Sequence, residues 1–162
     1  MASYKKLRVN TKKLFGLRGR DIALLSEAWL LLAWVDLVIS LLPYRYWSRW
    51  LQKAGPMRVS KSNSESSREQ EVARIIQLSE AAARNHLRPM NCLRRCFVQQ
   101  RLLRRRKVLS RMHIGVRKTS NGLEAHAWLS SQERVLNDTP DVGHRYAELQ
   151  AEQWASISRF VS

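Results

Sequence analysis

The apolar spacing of this chain changes period once, and that change limits the fold more than any other feature. Up to about residue 107 the apolar residues recur at helical intervals; beyond it they alternate. EVARIIQLSEAAARNHL carries Val72, Ile75, Ile76, Ala82 and Ala83 on one helical face. CLRRCFVQQRLLRRRK does the same with Cys92, Cys96 and Leu103, flanked by Leu93 and Phe97. VLSRMHIGV then puts Met112, Ile114 and Val116 on one side of a strand, and LEAHAWL and RVLND read as two more. Helices followed by a short group of strands predict an α+β fold with a small antiparallel sheet.

Upstream lies a longer apolar run, Ile22 to Leu42, which Asp21 can cap and Pro43 ends. It follows twenty residues with seven Lys and Arg and no acid. Its twelve Leu, Ile and Val favour membrane insertion by roughly 4–7 kcal/mol, and Glu27 and Asp36 each oppose it by up to about 3. The two nearly cancel, which leaves spanning as an alternative; the favoured reading is a helix docked on the domain, with contact to a membrane surface left open. YRYWSRWLQKAG follows, aromatic and basic, and then the serine-rich RVSKSNSESSREQ, which reads as a flexible linker. The expected organisation is a basic helical region over 1–60, a linker over 61–70 and a core domain over 71–162.

A chain of 162 residues suffices to bury one core. Its net charge of +16 favours anionic partners without choosing among them. The two cysteines, Cys92 and Cys96, are one helical turn apart, a poor geometry for a disulfide. A reduced, cytoplasmic setting follows. His86, His113, His126 and His144 form no ligand doublets with them, so no metal site is expected.

The chemistry concentrates on three residues. With Asn91 as cap, Cys92 is the first residue of its helix, where the dipole favours a thiolate. A small buried apolar residue would satisfy the same pattern. His126 shares a strand face with Glu124 and Trp128, opposite to Ala125, Ala127 and Leu129. If SSQER turns through a three- or five-residue loop, His126 lies across from Asp138 and Trp128 across from Leu136, close enough for a carboxylate to hold an imidazole. A two-residue loop would shift that register. A cysteine at a helix start, a histidine and an acid are the nucleophile, base and orienting group of acyl transfer through a thioester. His144, in a loop, is the alternative base.

NCLRRCFVQQRLLRRRKVLSRMHIGV, EAHAWL and RVLND together resemble the peptidase of lasso-peptide biosynthesis, the B protein. This is similar to the C-terminal domain of the microcin J25-processing protein, in the transglutaminase-like cysteine peptidase superfamily. The resemblance covers about residues 20 to 150 and is most specific over 91 to 138. It implies a transglutaminase-like, papain-like fold in which Cys92 is the nucleophile, His126 the base and Asp138 the third member. Glu124 and Trp128 become candidates for the peptide channel.

The implied activity is removal of the leader from a ribosomally made lasso precursor, before an asparagine-synthetase-like cyclase closes the macrolactam. The resemblance also implies a separate leader-recognition protein, because residues 1–70 do not read as a winged helix. It carries over ATP dependence of the processing step from some members. The chain has no GxxxxGK loop, so no cofactor is expected in it. Cys96 stands where the family has a small alanine, and Arg94 follows the Cys-Leu pair. Two other readings stay open: an acyltransferase using the same three residues, and a nucleic-acid-binding protein suggested by RLLRRRK. For the second no known module is visible, and no nucleic acid is expected.

Overall fold

The computed structural model describes residues 18–43, 46, 65–120 and 122–149. Three helices come first: α1 (Gly19–Leu41), α2 (Glu65–Arg84) and α3 (Cys92–Arg105). A sheet follows, of β1 (Arg111–Thr119), β2 (Gly122–Ser131), β3 (Arg134–Val135) and β4 (Ala147–Glu148), with a helical turn, α4 (Val142–Arg145), before the last strand. The sheet is antiparallel with order β3-β2-β1-β4. Helices followed by a small antiparallel sheet are the α+β class that the change of period predicts.

One core joins the helices to the sheet. Leu24, Ala28, Leu32 and Val35 form the inner stripe of α1 and meet Ile75, Leu78 and Ala82 of α2 and Leu102 and Leu103 of α3. Ala127 and Leu129 close this core from β2, with Met112 and Ile114 of β1 packed beside them. These are the alternate positions of two paired strands, Met112 opposite Leu129 and Ile114 opposite Ala127. Because α1 is built into the same core, a boundary at residue 60 does not separate two cores. The stretch 61–70 reads as a linker by composition, yet the chain is helical from Glu65. Those first turns are tied down: Arg68 donates to the Lys107 carbonyl at 2.7 Å and Glu69 pairs with Arg134 at 2.7 Å. Residues 61–64 lie outside the described residues, as does the aromatic stretch 44–55 apart from Tyr46.

The acids that count against membrane insertion of α1 are its docking groups. Asp21 pairs with Arg74 of α2 at 2.7 Å. Glu27 receives Arg105 of α3 and Arg106, the residue that caps it, the latter at 3.3 Å. Asp36, buried, lies 2.7 Å from Arg94 and 3.0 Å from Arg88. Asp21 is not the cap itself; it sits inside the first turn and its carboxylate accepts the Arg18 N–H. Much of the arginine-rich face of α3 therefore holds acids of α1 and α2 rather than facing solvent alone.

Candidate active site

The site forms where the start of α3 meets an open stretch of strand edge. Asn91 caps α3, its Oδ1 accepting the Arg94 N–H at 3.0 Å while its carbonyl accepts from Arg95. Cys92 is thereby the first helical residue, as its sequence position predicts.

The edge is open because β3 is only two residues long. Gln132 and Glu133 form a two-residue turn with φ of 48° and 65°, pairing Ser131 with Arg134 and Ser130 with Val135. This corrects the longer loop and the register that would set His126 across from Asp138 and Trp128 across from Leu136. Continued as a strand, the observed register would put Asp138 across from Ala127, on the other face. Instead the ladder stops. Leu136 N–H still reaches the Leu129 carbonyl at 2.8 Å, but the Leu129 N–H is taken by the Asn137 side chain at 2.8 Å. Asn137 thus substitutes a side-chain amide for the next backbone rung, and the chain bends away from the strand path.

That bend delivers Asp138 to His126. The Asp138 Oδ2 is 2.5 Å from the imidazole Nε2. Its other oxygen accepts the Thr139 N–H at 2.7 Å and Arg145 at 3.1 Å. With Nε2 occupied, Nδ1 is the ring nitrogen left for the thiol, and Cys92 and His126 are close enough for each to shift the other's titration. The structure brings all three residues together.

Electrostatics favour an ion pair. Burial pushes the Cys92 thiol up, but the His126 ring and the N–H groups of Ala127 and Leu93 outweigh it, and the thiol titrates below its ordinary value. His126 is raised, first by its bond to Cys92 and then by Asp138, against a burial effect of opposite sign. Burial also opposes the charge on Asp138, yet bonds from His126 and the Thr139 N–H hold it below the usual carboxylate range. Cys96 behaves in the opposite way. It is fully buried, receives only the Asn137 amide at 3.2 Å, and is pushed up to about 12. One helical turn separates a thiol held below its ordinary value from a core thiol held far above it.

The far face of the sheet builds the wall behind His126. Gly115 is directly opposite His126, and a Cβ there would lie 2.8 Å from Tyr146 Cβ and 3.0 Å from the Trp128 ring. That vacancy admits Tyr146, whose ring centroid is 5.0 Å from that of His126. Glu124 accepts the Tyr146 hydroxyl at 3.0 Å and pairs with Arg117 at 2.8 Å, so it braces Tyr146. Trp128 is 4% exposed and stacks on His113 with centroids 5.4 Å apart. It is a packing residue, which corrects its expected place in an open peptide channel. His113 itself ties three strands, bonding Glu148 of β4 at 2.8 Å and Ser130 of β2 at 2.7 Å.

His144 lies exposed on α4. His86 packs on Trp29 with a centroid separation of 4.9 Å. Arg145, Tyr146 and Asn137 escape a reading of the sequence: only the tertiary bend after β3 makes them neighbours of the site. The glycine of Ile-Gly-Val, opposite Ala-His-Ala-Trp on the next strand, was the available signal for Tyr146.

Among curated proteins and among solved structures, no match to the chain is found. The family model described as the transglutaminase-like superfamily matches residues 38–151, a span that contains Cys92, His126 and Asp138. On that match, the chain belongs to the transglutaminase-like superfamily.

Proposed function

We propose that this protein is a cysteine peptidase that removes the leader from a ribosomally synthesised lasso-peptide precursor, ahead of macrolactam closure by a partner cyclase. The observation that carries the peptidase reading is the half-buried cluster of Cys92, His126 and Asp138, in which the acid holds the ring and the ring lowers the thiol. The precursor class rests on the resemblance of the Cys-Leu helix start, Ile-Gly-Val and Ala-His-Ala-Trp motifs to lasso-peptide B proteins.

In this reading the Cys92 thiolate adds to the scissile carbonyl carbon, forming the C–S bond and placing charge on the carbonyl oxygen. Asn91 occupies the Arg94 and Arg95 N–H groups and the Leu93 N–H favours the Cys92 thiolate, which leaves the Cys92 N–H as a first-turn donor for that oxygen. Collapse of the adduct breaks the C–N bond, and His126 protonates the departing amine. Water, deprotonated by His126, then adds to the thioester. The leader leaves as a carboxylic acid and the thiolate–imidazolium pair is restored. Asp138 keeps the imidazole oriented and stabilises its cationic form throughout. A separate leader-recognition protein presents the precursor, and any ATP requirement belongs to the assembled system.

The test combines purified protein, precursor, recognition protein and cyclase, with leader release followed by mass spectrometry. Release by wild type and none by Cys92→Ala supports the proposal. Equal release by both removes Cys92 from the mechanism. Formation of a leader amide with an added amine, and no free acid, would favour the acyltransferase reading.

A further inference from the structure

The face of α1 turned away from the core has an unusual composition. Its inner face takes every acid of the helix: Asp21, Glu27 and Asp36 are all committed to arginines of the domain. The outer face carries Ile22, Leu30, Trp34, Leu37 and Leu41, with Leu30 64% and Leu41 70% exposed. From Leu30 these recur at four, three and four residues, a single stripe. A helix of 23 residues extends about 35 Å at its rise per residue. Arg101 of α3 sits at the rim, 5.6 Å over the Trp34 ring.

The sequence on either side continues the pattern. The first 58 residues contain eleven Lys and Arg, and their only acids are the three that α1 turns inward. The stretch after α1, YRYWSRWLQK, adds two tyrosines, two tryptophans and three basic residues. An uncharged apolar stripe bordered by arginine, with aromatic and basic residues adjoining, matches the interface of an anionic bilayer: acyl chains under the stripe, headgroups at the cations. We propose that the outer face of α1 seats the protein peripherally on an anionic lipid membrane. The attachment is monotopic, because spanning would strip Asp21, Glu27 and Asp36 from their arginine partners.

The experiment is co-sedimentation of the full chain with phosphatidylcholine vesicles, with and without phosphatidylglycerol. The variants are Leu30→Glu/Leu37→Glu and the milder Leu30→Ser/Leu37→Ser. Alkylation of Cys92 in native buffer reports the fold of each, and the serine pair is read if the glutamate pair fails that check. The expected result is pelleting with anionic vesicles only, weakened at least about tenfold in the double variant. Three results overturn the proposal. The chain fails to pellet with anionic vesicles; it pellets equally well in the double variant, leaving charge alone as the cause; or the double substitution only converts a self-associated protein to monomer, making the stripe a contact between copies. Resistance to extraction by alkaline carbonate from membranes of expressing cells would overturn the peripheral placement.

Discussion

Replacing Asn137 by alanine tests the link between the edge of β2 and the candidate triad. The amide makes three contacts: it accepts the Leu129 N–H at 2.8 Å, donates to Gln99 Oε1 at 2.7 Å and touches Cys96 Sγ at 3.2 Å. Leu129 is fully buried and Gln99 is 1% exposed, so the N–H and the carbonyl left behind have little access to water. Each such group costs about 1–3 kcal/mol, giving a loss of about 2–6 kcal/mol for the pair. Gln99 in turn donates to Glu80 at 2.8 Å, so Asn137→Ala and Gln99→Ala should be non-additive. Urea unfolding followed by tryptophan fluorescence measures the loss, provided the slope is unchanged.

A second readout separates positioning from mere stability. If Asn137 delivers Asp138, its removal loosens the carboxylate on His126, weakens the imidazolium and raises the pH at which Cys92 becomes alkylated by iodoacetamide. A loss below about 1 kcal/mol would refute the energetic argument. A large loss with an unchanged alkylation profile in the folded variant would assign Asn137 to the core and not to the triad.

Four further outcomes follow from the same geometry. In native buffer near neutral pH, iodoacetamide should modify Cys92 and spare Cys96, whose buried thiol is pushed up to about 12; equal labelling on peptide mapping would contradict the buried placement. Because the folded value for Cys96 lies above its ordinary 9.0, the unfolded chain releases this proton first, so stability should fall as pH rises from 9 towards 12, and Cys96→Ala should flatten that part of the profile. Asp36→Ala would leave the largely buried Arg94 without its carboxylate and should destabilise by about 3 kcal/mol in thermal or urea unfolding; a change near zero would mean that α1 docks by apolar contact alone. Asn-Gly in place of Gln132-Glu133 should stabilise the chain by about 1 kcal/mol, because both turn residues hold positive φ; a loss of stability would show that their side chains matter more than the turn backbone.

The change of apolar period was sufficient to predict α+β order, since helix and strand faces each impose a spacing on the residues they bury. Asn91, the helix start at Cys92 and the strand through His126 were equally legible, because caps and alternation are local. The pairing of His126 with Asp138 was predicted through a strand register that the chain does not adopt. The contact exists because Asn137 ends the ladder and turns the chain out of it, which depends on Gln99 from a different element. The roles of the charges were likewise beyond local reading. Glu27 and Asp36 look like interruptions of an apolar helix, and RLLRRRK like a solvated basic run, until the helices pack and each supplies the other's counter-charge. Local preference and periodicity act within a few residues and can be read along the chain. Which polar groups meet is decided by packing between segments far apart in sequence, where burying an unpaired charge or amide is costly enough to select one arrangement.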